Sequence, residues 1–150
     1  MLNAIKQFFE QNFAEQEQDT EHQLKLATAA LLIEMMQQDG KTTDEEVQAV
    51  KATLGSKFAL NGTETDTLFE LAREEARQAT DFYQFTRLIN DNFTPEKKIK
   101  IVENLWTISY ADNDLDAHEE HMIRRISELL YVSHKDMLKT KHKVQAAQKN

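Results

Sequence analysis

Two short acidic stretches carry the side chains best suited to chemistry. Asp39 is followed seven residues later by Glu46, and Asp112 is followed seven residues later by Glu119. The second stretch also holds Asp114, Asp116 and Glu120, so residues 112–120 contain five acids and no lysine or arginine. Carboxylate oxygens are hard ligands, which suit Ca2+ or Mg2+ better than a soft or nitrogen-seeking metal. The candidate metal ligands are therefore Asp39, Glu46, Asp112, Asp114, Asp116 and Glu119, with Ca2+ or Mg2+ as the ion. Each position also has a plainer reading. Thr43 with Glu46, and Asp116 with Glu119, have the spacing of a capping box, in which a carboxylate closes a helix start. Asp39 and Asp112 are harder to explain that way, because the orphan carbonyls of the helix they follow make its end negative. They are held by solvent, by the first amides of the next helix, or by a cation.

Other chemistries fit less well. Asp112, Asp114 and Asp116 match the first three ligand positions of an EF-hand loop, but Ala117 stands where that loop needs Gly and Ile123 where it needs Glu. His118 and His121 are three residues apart, not the four of His-Glu-x-x-His, and read as solvated surface rather than zinc ligands. No Glu-x-x-His occurs, which removes the di-iron bundle chemistry that needs two of them. There is no cysteine, no Gly-x-Ser-x-Gly and no glycine-rich phosphate loop. The chain reads as a non-enzyme, with a metal-dependent hydrolase a distant alternative.

Composition narrows the surroundings of these acids. In 150 residues, 26 acidic side chains outnumber 18 basic ones for a net charge of −8, which disfavours nucleic acid and suits cations or a basic protein partner. The imbalance is local: from Ser133 onward five lysines face one aspartate, a basic end on an acidic body. Without cysteine there is neither a disulfide framework nor a thiolate zinc site. No apolar run approaches the ~20 residues of a membrane span, and the first residues lack the pattern of a signal peptide, so a cytoplasmic location is expected.

Three glycines and one proline leave little for the turns of a β-protein, and the expected fold is an all-α bundle in one domain. Leu2, Ile5, Phe8, Phe9 and Phe13 predict a short amphipathic helix that docks on its own domain. A helix from Asp19 or Thr20 to Asp39 contains AALLIEMM, apolar nearly all round, which predicts a central and buried element. Thr43 opens the next helix, and Asn61-Gly62 is a turn before one that starts at Thr63 or Thr65. Thr80-Asp81 predicts a further start, and Thr94-Pro95-Glu96 a strong one, with the proline at the first helical position. The helix from Thr94 runs to about Tyr110. A helix after Asp116 and a last one capped by Ser133 complete eight candidates, the last fraying from Gln145.

The two acidic stretches belong to a repeated unit. Residues 33–58 and 106–131 share an apolar helix, an acidic turn and a second helix at an offset of 73 residues, with Gly40 and Asn113 aligned. Such hairpins can pack about a pseudo-twofold axis. The stretches AALLIEMMQQDGKTTDEE and WTISYADNDLDAHEEHMIRRI resemble the tellurite-resistance TerB family over about residues 20–132. The resemblance implies an all-helical cytoplasmic domain whose acidic turns take a divalent cation, with a link to stress or tellurite resistance and no known reaction. Gln38 stands where the family has Ala, and Asn113 where it has Gly. The expected organisation is an N-terminal helix and linker over 1–18, a TerB-like domain over 19–132, and a basic helix with a frayed tail over 133–150. Alternatively, the Phe-rich first helix or the basic tail carries protein interaction and the acids are caps.

Overall fold

A computed structural model describes residues 2–12, 20–39, 43–77, 83–110 and 117–148. Those residues form eight helices and no strand, as the scarcity of glycine and proline implies. The helices fall into two compact units, residues 1–92 and 93–150.

The first unit contains α1 (Leu2–Asn12), α2 (Thr20–Asp39), α3 (Asp44–Phe58), α4 (Gly62–Arg77) and α5 (Gln84–Asn92). Its centre is α2, which packs against α3, α4 and α5. From Leu24 to Met36 its side chains are buried on nearly every face, as an apolar run without a polar stripe requires. Transfer of a fully buried leucine such as Leu31 from water is worth about 1.5–3 kcal/mol, so this helix carries much of the unit's cohesion. Helix α1 docks on α5. It buries Ile5 and Phe9, and Phe8 meets Phe85 edge-on with ring centroids 6.3 Å apart.

Local chemistry sets where these helices begin and end. Thr43 and Glu46 form the expected capping box at the start of α3. At its other end Ala59 is left-handed, φ 56°, and the Leu60 N–H closes back on the Leu54 carbonyl at 3.3 Å. The start of α4 differs from the sequence reading. Asn61, not Thr63 or Thr65, is the cap: its Oδ1 accepts the Glu64 N–H at 2.8 Å while Glu64 Oε1 accepts the Asn61 N–H at 3.0 Å. An Asn-x-x-Glu box satisfies two orphan donors at once, and that reciprocity outweighs either threonine. The described part of α5 begins at Gln84, and the predicted start at Thr80-Asp81 lies outside the described residues.

The second unit packs α6 (Pro95–Ser109), α7 (Ala117–Leu129) and α8 (His134–Gln148) against one another. Thr94 caps α6 with Pro95 in its first turn, as the sequence predicts. Ile101, Leu105, Trp106, Ile123, Ile126 and Met137 are all buried in this unit. The turn after α7 resembles the end of α3, with Tyr131 left-handed at φ 62° and the Val132 N–H on the Ser127 carbonyl at 2.9 Å. Ser133 then caps α8 by accepting the Asp136 N–H at 3.1 Å. Helix α8 continues to Gln148, past the expected fraying at Gln145, and its buried residues Met137, Thr140 and Val144 end before that point.

Candidate functional site

The first acidic corner joins α2 to α3. Asp39 is the last residue of α2, and its side chain lies outside the described residues. Glu46 is exposed and closes the capping box: its Oε1 accepts the Thr43 N–H at 2.9 Å and the Thr43 hydroxyl at 3.3 Å. The Glu46 N–H in turn donates to Thr43 Oγ1 at 3.1 Å. These bonds engage one carboxylate oxygen of Glu46 and fix its position over the helix start. Asp44, Glu45 and Glu46 have no lysine or arginine partner among the described residues. Elsewhere in the unit Glu21 meets Lys25, Asp66 meets Lys51 and Glu74 meets Arg77.

The second acidic corner joins α6 to α7. Asp112, Asp114 and Asp116 lie outside the described residues, and Glu119 sits in the first turn of α7 with its side chain outside them as well. His118 stands likewise, while His121 is exposed, as a solvated residue would be. Glu120 is the one acid of residues 112–120 whose side chain is described, and it is neutralised internally. Its Oε2 lies 2.6 Å from Lys141 Nζ on α8 and 3.8 Å from Arg124 Nη2. The Lys141 hydrogen bond, joined by the charges of Lys141 and Arg124, holds the Glu120 carboxyl below the usual range against a smaller effect of burial. The Lys141 ammonium also rests 5.6 Å from the centre of the buried Trp106 ring. Among the described residues no group of three or more histidines or acids has the spacing to hold a metal.

A second cluster of acids lies inside the first unit, and the sequence reading missed it. Glu34 on α2 and Glu75 on α4 are both fully buried, and both reach the first turn of α5. Glu34 Oε2 accepts the Phe85 N–H at 2.9 Å. Its Oε1 accepts the Thr86 N–H at 3.2 Å and the Thr86 hydroxyl at 2.7 Å. Glu75 Oε2 accepts the Gln84 N–H at 2.6 Å. A helix start carries several unpaired N–H groups and the positive end of a dipole, so buried carboxylates from neighbouring helices are matched to it. Burial first, then the hydrogen bond and the charge of Glu75, raise the Glu34 carboxyl well above the usual range, against the lowering effect of its Thr86 and Phe85 bonds. The signal available in the sequence was Glu34 itself, a lone charge within AALLIEMM.

The chain matches the family model described as Tellurite resistance protein TerB over residues 25–142. No curated protein and no solved structure gives a match. The matched span takes in most of α2, all of α3 to α7 and most of α8, including both acidic corners. With an all-helical fold built from these elements, the chain belongs to the TerB family.

Proposed function

We propose that this TerB-family chain is a non-enzymatic helical binding module whose acidic corners take a divalent cation, Ca2+ or Mg2+. The single observation that carries the reading is the first corner. Asp44, Glu45 and Glu46 are without a lysine or arginine partner among the described residues, while Glu21, Asp66 and Glu74 of the same unit are paired. Asp39, Glu46, Asp112, Asp114, Asp116 and Glu119 are the proposed ligands. Glu120 is left out, because Lys141 already occupies it. The repeated spacing of Asp39 with Glu46 and of Asp112 with Glu119 supports a duplicated unit in which each corner serves in the same way. A role in tellurite resistance or a related stress response, and a cytoplasmic location, belong to the same proposal and rest on family membership. The phenylalanines of α1 are less suited to carry binding, since Phe9 is buried and Phe8 packs on Phe85.

The test is thermal unfolding of the full chain during titration with CaCl2, MgCl2 and MnCl2. A ligand of the folded state adds about 2.7 kcal/mol of stability at one hundred times its Kd, and Asp39→Ala and Asp112→Ala each reduce that gain. An unfolding temperature unmoved at millimolar ion defeats the proposal, as does a gain that survives both substitutions.

A further inference from the structure

The buried acids of α2 and α4 take no part in the cation binding proposed above. We propose that Glu34 and Glu75 hold a single proton between them, and that its loss as pH rises frees the start of α5, a pH-gated element of the first unit.

The donor count carries the first half. Gln84 N–H, Phe85 N–H, Thr86 N–H and the Thr86 hydroxyl meet three of the four carboxyl oxygens. The fourth, Glu75 Oε1, is buried and meets no donor. Both carboxyls are fully buried and converge on successive amides of one helix start, and an ionised oxygen left there without a donor is costly, so the orphaned oxygen is the place for a proton. Two buried carboxyls brought to one helix start away from water cannot both ionise cheaply, so one proton is kept there.

The second half follows from how α5 begins. Tyr83, in its cap position, is left-handed at φ 62° and has no short side-chain oxygen with which to cap. Among the described residues, Glu34 and Glu75 are the acceptors for the first three amides of α5. Helix α5 in turn seats α1, through Phe85 against Phe8. Of the described groups on the surrounding helices, Lys6 and Glu10 of α1 and Arg87 and Asp91 of α5 are exposed, and on α4 Arg73 pairs with Glu70 and Arg77 with Glu74. On α2 the nearest described charge is Lys25, more than two turns away. Glu75 is the one charge acting on Glu34 among them.

The sign is fixed by linkage. A carboxyl held above its unfolded value contributes stability that is complete below the ordinary glutamate range and is lost as pH rises toward the raised value. One proton released on opening makes the opening constant of α5 rise by about tenfold per pH unit across that window, then level off. The experiment is side-chain carboxyl carbon NMR of the full chain, with amide hydrogen exchange at Gln84, Phe85 and Thr86, from about pH 4, near the ordinary glutamate value, to about pH 9. The expected result is one protonation step of the pair above the ordinary glutamate range, with exchange at those amides accelerating beyond its intrinsic pH dependence. Glu75→Gln, which keeps an oxygen for Gln84 and removes the neighbouring charge, reduces the extra acceleration and leaves the part due to burial of Glu34. Both carboxyls titrating in the ordinary range overturns the proposal, as does Glu75→Gln with the wild-type exchange profile. Should that variant not fold, the carbon titration of the wild type decides alone.

Discussion

Glu34 Oε2 accepts the Phe85 N–H at 2.9 Å, so a carboxylate in the middle of one helix closes the first turn of another 51 residues later. An N-cap normally comes from the residue just before its helix. Here the left-handed Tyr83 occupies that place, and the central helix of the unit supplies the acceptor instead. The bond ties α2 to α5 and, through α5, to α1.

Removing that carboxyl is therefore expected to cost more than an ordinary cap. Glu34→Ala leaves the Phe85 and Thr86 amides and the Thr86 hydroxyl buried without their acceptor. At about 1–3 kcal/mol for each unsatisfied group, a loss of at least ~3 kcal/mol is expected in urea unfolding. Glu34→Gln keeps one acceptor oxygen and is expected to lose less.

At the first acidic corner, stability and charge can be separated. Thr43→Ala breaks the capping box and is expected to cost about 1 kcal/mol, with Thr43→Ser close to neutral. Glu46→Gln retains an oxygen to accept the Thr43 N–H but removes the charge, so thermal stability is expected to change by only about 0.5 kcal/mol. The same variant is expected to lose part of any stabilisation by Ca2+ or Mg2+. A full gain retained in Glu46→Gln removes this residue from the ligand set.

Two helix ends store backbone strain that glycine relieves. Ala59 and Tyr131 adopt φ 56° and φ 62°, a region that costs a residue with a Cβ about 1–2 kcal/mol. Ala59 is exposed, so Ala59→Gly is expected to stabilise the chain by up to ~1 kcal/mol in thermal unfolding. Tyr131 is 83 % exposed, and its ring lies 5.8 Å from Lys98 Nζ. Losing that contact, worth about 0.5–1 kcal/mol at an exposed site, makes the gain from Tyr131→Gly the smaller of the two.

The Glu120–Lys141 pair predicts an acid-side dependence of opposite sign to that of the buried pair. The lowered Glu120 carboxyl contributes stability that is present at neutral pH and fades as pH falls through its depressed value. With the two side chains 31 % and 20 % exposed, Lys141→Met is expected to cost about 0.5–1 kcal/mol at neutral pH. The difference from wild type is expected to vanish below the carboxylate range, as followed by urea midpoints across pH.

Much of this architecture was legible one helix at a time. Helical periodicity, the Thr43–Glu46 box, Thr94-Pro95 and Ser133 are local signals, and each begins a helix where the sequence places it. They are legible because a cap and its amide lie within three residues, so sequence spacing is spatial spacing. The run AALLIEMM likewise announced burial, since a helix apolar on every face has no side to give to water. Asn61 was the local signal overlooked, an Asn-x-x-Glu box read as a turn. What tertiary structure alone decided was the partner of each buried charge. Glu34 and Glu75 stand 41 positions apart in sequence and meet only because α2, α4 and α5 converge. Glu120 is drawn from an acidic run to Lys141 by the packing of α7 on α8. Sequence order limits which atoms are neighbours along a helix, but a charge far from water takes its partner from whichever helix the core brings against it.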